Sequence, residues 1–318
     1  MKEDHEIDSF FDSTFNDKEL IKSAKRKSYF RITGVSFLVS ICVLILLILL
    51  KIQLTPYLMN QKIVAKELYY EIYGANIYTG SWMERYKLVG SSATAPRYKL
   101  LNGKLVNLGE ISLDTSNIEI TIGNSEFAQF SYAGNRVMNF FHPSLQYQEY
   151  ANDQNELNKV NEGKLIEMAL SFDQPYSYEE VVSMLPKDVS LQWNWVNTFS
   201  TEELEGLKES NRTDLEYPSI FKEHEVAGFP AIAKDGERIK DPVNSFIATL
   251  DLALSKGGSY KKDFEHIHNV LKSGHSSLTN ENVEIIGVVV VGDKQQLKSL
   301  KNKHYIKSSS FGAIVDAY

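Results

Sequence analysis

The hydrophobic residues of this chain fall into three patterns. A single apolar run occupies residues 32–50, a charged segment precedes it, and a mixture of alternating and helical spacings follows it. No charged residue lies between Arg31 and Lys51. At ~1.5 Å per residue, a helix over this run is roughly 29 Å long, close to the ~30 Å hydrocarbon core of a bilayer. The run therefore predicts one transmembrane helix over residues 32–50.

Two other interpretations of the apolar run are a cleaved signal peptide and a buried core helix. A signal peptide has an apolar region of about 7 to 15 residues that ends in a small-residue cleavage site. This run is longer, about 30 residues precede it, and residues 51–56 contain no such site. A membrane anchor that stays in the mature protein is the better interpretation.

The basic residues around the apolar run predict its orientation. Lysine and arginine are enriched on the cytoplasmic side of membrane helices. After the run, Lys51 is followed by Lys62 and Lys66. The residues that we expect to determine the topology precede the run: Lys22, Lys25, Arg26, Lys27 and Arg31. We therefore expect a single-pass protein of the cell membrane, with a cytoplasmic N-terminus and an extracytoplasmic C-terminal region.

The first 31 residues form a short tail that is divided by charge. Residues 1–17 carry one lysine against six carboxylates, and residues 18–31 carry six basic residues against one glutamate. Ile7, Phe10, Phe11 and Phe15 approximate the i, i+3, i+4 spacing of one apolar helix face. Because so short a tail cannot enclose these side chains in a core, we expect the face to dock into a groove on a partner protein. Contact with lipid and simple disorder are the alternatives.

The region after the membrane run carries helix and strand patterns. The mixed spacing of residues 54–73 predicts that a helix continues outward as a stalk. Asn102 and Gly103 separate two apolar segments and favour a type I′ hairpin turn. Ile118, Ile120 and Ile122 alternate with polar residues as in a half-buried strand. A polar stretch over residues 150–164 then predicts a boundary between a stalk and β-rich region, 51–155, and a C-terminal α/β sensor domain, 156–318.

The C-terminal region has a more regular pattern. Residues 166–172 alternate as a strand, and a capping box at Ser177 opens a helix. A second strand carries Leu191, Trp193 and Trp195 on one face. Together these elements predict a β-α-β unit. Two amphipathic helices, over 243–254 and 264–271, precede an apolar strand over residues 283–291. The last elements expected are a helix capped by Asp293 and a strand over residues 305–315. The predicted fold class is α+β, a mixed sheet-and-helix sandwich with β-α-β units.

Composition excludes several functions. The formal net charge of -7 argues against direct nucleic-acid binding, which depends on clustered lysine and arginine. The one cysteine, Cys42, lies inside the apolar run, so the external region has neither a disulfide nor a cysteine zinc site. Arginine is scarce beside lysine, and asparagine, isoleucine and tyrosine are abundant, which is typical of an AT-rich genome. We expect a low-GC Gram-positive bacterium as the source.

Candidate chemistry in the external region is weak. Residues 259–262 match the S-x-x-K pattern and 272–274 a variant of K-T-G, but they are far closer together than in penicillin-binding enzymes. His266, His268 and His275 lack the spacing of a metal site. The aromatic strand with Trp193 and Trp195 is more typical of a core than of a glycan or peptide site. We predict no catalytic residues, no metal, no cofactor and no enzymatic activity.

Several sequences in the chain nevertheless carry a resemblance. They are ALSFDQPYS (169–177), LQWNWV (191–196), GVVVVG (287–292) and YIKSSSFGAIV (305–315). Together with the layout of residues 20–113, they resemble the sigma factor regulator family, which comprises bacterial membrane-bound anti-sigma factors of extracytoplasmic-function (ECF) sigma factors.

The resemblance implies a function in transcription regulation. The tail would hold an ECF sigma factor at the lipid bilayer, with the contact on Ile7, Phe10, Phe11 and Phe15, and the external domain would respond to cell-envelope stress. Another membrane protein is left open as a partner. The tail lacks the H-x-x-x-C-x-x-C zinc pattern of other anti-sigma classes. The competing hypothesis is a membrane-anchored extracytoplasmic binding module or envelope enzyme with no sigma partner.

Overall fold

A computed structural model describes residues 17–116, 131–132, 134–213 and 219–317. The strand predicted around Ile118, Ile120 and Ile122 lies outside these residues. The chain divides after Pro56 into two compact units, 1–56 and 57–318. Each unit is therefore described by itself.

The described helices and strands follow one another in a mixed order. The helices are α1 (Asp17–Tyr73), α2 (Tyr178–Met184), α3 (Thr201–Thr213), α4 (Pro242–Lys256), α5 (Lys261–Lys272) and α6 (Lys294–Lys298). The strands up to the middle of the chain are β1 (Ile77–Thr79), β2 (Met83–Tyr86), β3 (Ser91–Leu101), β4 (Lys104–Asp114), β5 (Ser131–Tyr132), β6 (Asn135–Arg136) and β7 (Asn139–Phe140). The remaining strands are β8 (Lys164–Tyr176), β9 (Ser190–Val196), β10 (Phe221–Lys222), β11 (Gly228–Pro230), β12 (Ile285–Gly292) and β13 (Ile306–Asp316).

The described part of the first unit is the N-terminal part of α1. Its side chains over residues 32–50 are all exposed, although they are almost entirely apolar. Ser40 keeps its hydroxyl within the helix by donating to the Ser36 carbonyl at 2.9 Å. By length and composition, α1 can cross a membrane, and no other helix in the described part of the chain can.

The second part of α1 belongs to the folded unit. The helix continues to Tyr73, as the sequence predicted for residues 54–73. Met59 and Ile63, one turn apart, pack against Ala93 and Leu113 of the hairpin formed by β3 and β4. Further residues of the same helix, Leu68 and Ile72, join the main core. This segment is therefore enclosed by other elements rather than exposed to solvent on all sides.

The hairpin of β3 and β4 confirms the predicted turn. Asn102 and Gly103 have φ angles of 49° and 85°, the left-handed values that a type I′ turn requires. Gly103 adopts this angle without the strain that a side chain would bring. β3 also pairs with β1 and β2, which completes a four-stranded antiparallel sheet.

The larger sheet has five strands in the order β11-β9-β12-β8-β13. Every neighbouring pair is antiparallel. Because β8 and β9 both run opposite to β12, they are parallel to each other, and β8-α2-β9 is a β-α-β unit with β12 inserted between its strands. α2 begins at the predicted capping box, in which Ser177 and Glu180 bond to each other's backbone amides.

The two faces of the five-stranded sheet are covered differently. Met168 and Leu170 of β8 face the helices, where they join Phe246 of α4 and Phe264 of α5 in the main core. A second cluster lies at the opposite face: Ala75, Met138, Phe140, Ala169, Trp193, Trp195, Val226, Ile286 and Val289. The predicted α+β class, with one long apolar N-terminal helix before a sheet-and-helix domain, is confirmed.

One prediction about β9 is wrong. Leu191 does not share a face with Trp193 and Trp195, because it packs in the main core on the helix side. The register of β9 against β12 shifts between Val289 and Val290, so that one extra residue of β9 is inserted. Since side chains alternate along a strand, such a bulge moves every later residue to the other face.

Candidate functional site

The predicted sigma-contact residues Ile7, Phe10, Phe11 and Phe15 lie outside the described residues. The residues predicted to determine the topology are among the described ones. All of them are exposed on α1: Lys22, Lys25, Arg26, Lys27 and Arg31. Their exposure is compatible with contact with anionic lipid headgroups. The contact face and the orientation both stay predictions.

A buried ion group lies between the four-stranded and five-stranded sheets. The Lys99 ammonium of β3 donates to Glu167 Oε2 of β8 at 2.8 Å and to Glu223 Oε2 at 2.9 Å. All three side chains are 0% exposed. Removing three charges from water is costly, so such groups persist only where ion pairs and hydrogen bonds replace the lost hydration.

Backbone and amide groups complete this ion group. Glu167 accepts from Asn76 Nδ2 at 2.7 Å and from the Ala313 amide at 3.0 Å. Glu223 accepts from the Met138 amide at 2.9 Å. Residues from four separate segments of the chain therefore hold the two carboxylates in place.

Gly312 is required where β13 passes the ion group. A Cβ atom at this position would lie 2.2 Å from Glu167 Oε2. The pairing of β13 with β8 is irregular between Phe311 and Ile314, and in this interval the Ala313 amide donates to the Glu167 side chain. The absence of a side chain at Gly312 thus makes room for a charged residue inside the sheet.

The ion group carries one net negative charge when all three members are ionised. The pKa of Glu223 is raised, chiefly by burial, with Lys99 opposing the shift and Glu167 adding to it. Burial alone would lower the pKa of Lys99, but the two carboxylates outweigh it and raise that pKa. Glu223 Oε1 has no hydrogen-bond partner among the described residues. The lysine therefore stays charged, and the raised pKa of Glu223 makes it easier to protonate than an exposed glutamate.

A pocket of about 520 Å³ opens beside this ion group. It lies between the end of α1, β1, the segment around β11 and the start of α4. Its apolar walls include Tyr70, Ile77, Trp193, Phe229, Ile232 and Phe246. The volume is in the usual range of small-molecule sites, ~300–1,000 Å³.

Two buried polar atoms of the pocket walls have no hydrogen-bond partner in the described part of the chain. They are Oδ1 of Asn76 and Nε1 of Trp193, both on side chains that are 1% exposed. Asn76 uses its Nδ2 for Glu167 and, at 3.4 Å, for the Leu100 carbonyl, which orients its oxygen. Asn76 therefore belongs both to the pocket wall and to the support of the ion group.

Acidic side chains predominate among the charged residues of the pocket. Glu67 and Glu71 lie on the last turns of α1, and Asp235 and Lys234 lie opposite, after β11. The pKa of Glu71 is raised, first by burial and also by Glu67, while Lys234 acts in the other direction. Three carboxylates and one ammonium give the pocket a negative potential.

Sequence patterns did not identify these residues. Glu167 and Glu223 lie 68 and 124 positions after Lys99 in the chain. A usable signal was present at Glu167, a charged residue between Ile166 and Met168 in a strand that is buried on both faces. Trp193 and Trp195 of β9 are core residues, as the aromatic strand pattern predicts, and Trp193 also lines the pocket.

The histidines considered as metal ligands include one that forms a surface contact with a carboxylate. His266 contacts Glu203 at 3.0 Å on the surface. No group of three or more possible metal ligands occurs in residues 17–116, 131–132, 134–213 and 219–317.

Comparison with known families assigns the chain. The model described as sigma factor regulator N-terminal matches residues 18–106, and the model described as sigma factor regulator C-terminal matches residues 157–313. This chain belongs to the sigma factor regulator family. No curated protein and no solved structure matches it. Membership supports an anti-sigma factor role and implies a sigma factor as partner.

In this sigma factor regulator, the two matched stretches meet at the ion group. Asn76 and Lys99 belong to the N-terminal stretch, and Glu167 and Glu223 belong to the C-terminal one. The pocket is also lined from both stretches. The N-terminal stretch begins at residue 18, so the predicted contact face in the tail precedes it.

Proposed function

We propose that this regulator is a membrane-anchored, non-enzymatic anti-sigma factor. Its cytoplasmic tail sequesters an ECF sigma factor, and its extracytoplasmic domain receives a cell-envelope signal, in a Gram-positive bacterium. The helix of residues 32–50 anchors the protein with its N-terminus inside, as the flanking lysines and arginines predict.

The match to both halves of the family carries this proposal. The exposed apolar part of α1 supports the membrane anchor, since an apolar surface of that length is unstable in water. The charge and aromatic spacing of the tail support the mode of sigma capture.

The test measures sigma capture by the full-length protein. Phe11→Asp combined with Phe15→Asp places two charges on the proposed face, and we expect loss of co-purification with the ECF sigma factor and constitutive transcription from its promoters. Ser9→Asp combined with Ser13→Asp is the matched control, because it adds the same charge on the opposite side of the helix that the sequence predicts. Membrane fractionation checks that both variants still insert.

The competing function is a membrane-anchored binding module without a sigma partner. The pocket of about 520 Å³ with two unpaired polar atoms favours it as a second candidate. Deletion of residues 1–17 separates the two. Unchanged sigma-dependent transcription after this deletion would refute sequestration by the tail and leave the binding module as the function.

A further inference from the structure

The pocket beside the ion group has walls whose chemistry defines its ligand. We propose that this pocket binds an organic cation with an apolar body, whose ammonium group pairs with Glu71. Nothing in the family match assigns a ligand to this region. The inference that this ligand is the envelope signal rests on the proposed function. The inference that the pocket binds it does not.

The charges around the pocket determine which sign of charge the ligand carries. Glu71 is partly buried in the wall and forms no hydrogen bond or ion pair with the residues that the structure describes. Glu67 and Asp235 add negative charge, and Lys234 is the basic residue that faces them. A carboxylate or phosphate ligand would be repelled by this set, while an ammonium would neutralise it. Charge complementarity of this kind favours one class of ligand over the other.

Asn76 borders the pocket but is closed to the ligand. Its side chain is 1% exposed, and its unpaired Oδ1 is buried. The donors of an ammonium group are therefore used on the partly buried carboxylate of Glu71, which has no hydrogen bond to the described residues.

The remaining walls fit an apolar body. Phe229, Ile232 and Phe246 form much of the surface between β11 and α4. Tyr70 and Trp193 add aromatic rings, which attract a nearby cation through their electron-rich faces. The cavity is also too large for a simple ammonium ion, which would leave most of the apolar wall uncovered.

The position of Asn76 gives ligand binding a direct route to the rest of the fold. Asn76 holds Glu167, and Glu167 holds Lys99 of the hairpin at 2.8 Å. A ligand in the pocket therefore lies beside a residue that joins the two family stretches. The pocket is thus placed where occupancy can bias the packing of α1 and β1 against the five-stranded sheet.

The test compares three probes that share a phenylalkyl body and carry a positive, a neutral or a negative head group. Full-length protein in zwitterionic lipid nanodiscs is titrated with 4-phenylbutylamine, 4-phenylbutanol and 4-phenylbutanoate by calorimetry, and empty nanodiscs provide the blank. We expect the amine to bind roughly tenfold more tightly than the alcohol, which is the scale of one hydrogen bond to a charged group. The carboxylate is expected to bind most weakly.

Variants locate the binding in this pocket. Glu71→Gln keeps the size of the side chain and should remove the preference for the amine, whereas Glu281→Gln, an exposed glutamate elsewhere, should retain it. Ser245→Trp places a bulky ring at an exposed wall position and should abolish binding of every probe. The amine should also bind more weakly as the pH falls and Glu71, whose pKa is raised, takes up a proton.

The possible outcomes separate this inference from the proposed function. Equal binding of all three probes would overturn the cation assignment, and no binding to the folded wild-type protein would overturn the pocket as a ligand site. Both results leave sigma capture by the tail untouched. Conversely, amine binding with no effect of the tail variants on transcription would refute the anti-sigma proposal and leave the ligand site standing.

Discussion

Replacement of Lys99 by methionine is the sharpest test of the buried ion group. Methionine has a similar length but no charge, so Glu167 and Glu223 lose the ammonium that lies 2.8 and 2.9 Å from them. Removing one partner of a buried ion pair costs about 3–5 kcal/mol. The alternative for the variant is to protonate the carboxylates, which costs about 3.7 kcal/mol for each of them at pH ~7 and the ordinary glutamate pKa of ~4.3. Either route predicts a loss of at least ~3 kcal/mol, a large share of the ~5–15 kcal/mol that stabilises a typical domain.

The assay is urea unfolding of the full-length protein in detergent, followed by tryptophan fluorescence. Trp193 and Trp195 are suitable reporters because they are buried on the same face of the sheet as Glu167. Lys303→Met, a change at an exposed lysine, is the control and should alter the free energy of unfolding by less than ~0.5 kcal/mol. The deficit of Lys99→Met should shrink as the pH approaches ~4, because protonation of the two carboxylates then costs less. A loss below ~1 kcal/mol at neutral pH, or a deficit that does not change with pH, would refute the description of the group as buried and charged.

Two further predictions concern the same region. Gly312→Ala should lower the free energy of unfolding by roughly 1–3 kcal/mol, since its Cβ would lie 2.2 Å from Glu167 Oε2. A thermal melt measures this loss, and an unchanged midpoint of unfolding would contradict the close packing at Gly312. Glu223→Gln leaves one positive and one negative charge in the group. Because the pKa of Glu223 is raised in the folded state, its ionisation costs the wild type stability as the pH rises through that pKa. The free energy of unfolding of the variant, measured between pH ~4 and ~8, should not show this decline. A decline equal to that of the wild type would contradict the raised pKa of Glu223.

Features that depend on neighbouring residues were predictable. The apolar run, the Asn102 and Gly103 turn, the capping box at Ser177 and the central strand now seen as β12 each follow from short-range periodicity or from backbone chemistry at one position. The face of Leu191 was not predictable, because the bulge that inverts it arises from the pairing of β9 with β12. The sequence pattern of β9 alone contains no sign of that shift.

The ion group and the pocket required the tertiary structure. Lys99, Glu167 and Glu223 have no common periodicity, and they meet only because β3 packs across β8 and the chain after β10 returns to the same place. Asn76 lies just after α1 with a left-handed backbone φ of 57°, and its side chain donates to Glu167.

The amino-acid sequence by itself determined the long apolar helix, the local turns and caps, the α+β class and the family. These properties arise from interactions within a few residues or from the total of apolar and charged side chains. The tertiary structure decided which charges are buried, which polar atoms lack partners and where a pocket forms. Those properties depend on contacts between residues far apart in the chain, and such contacts exist only once the sheets and helices have packed.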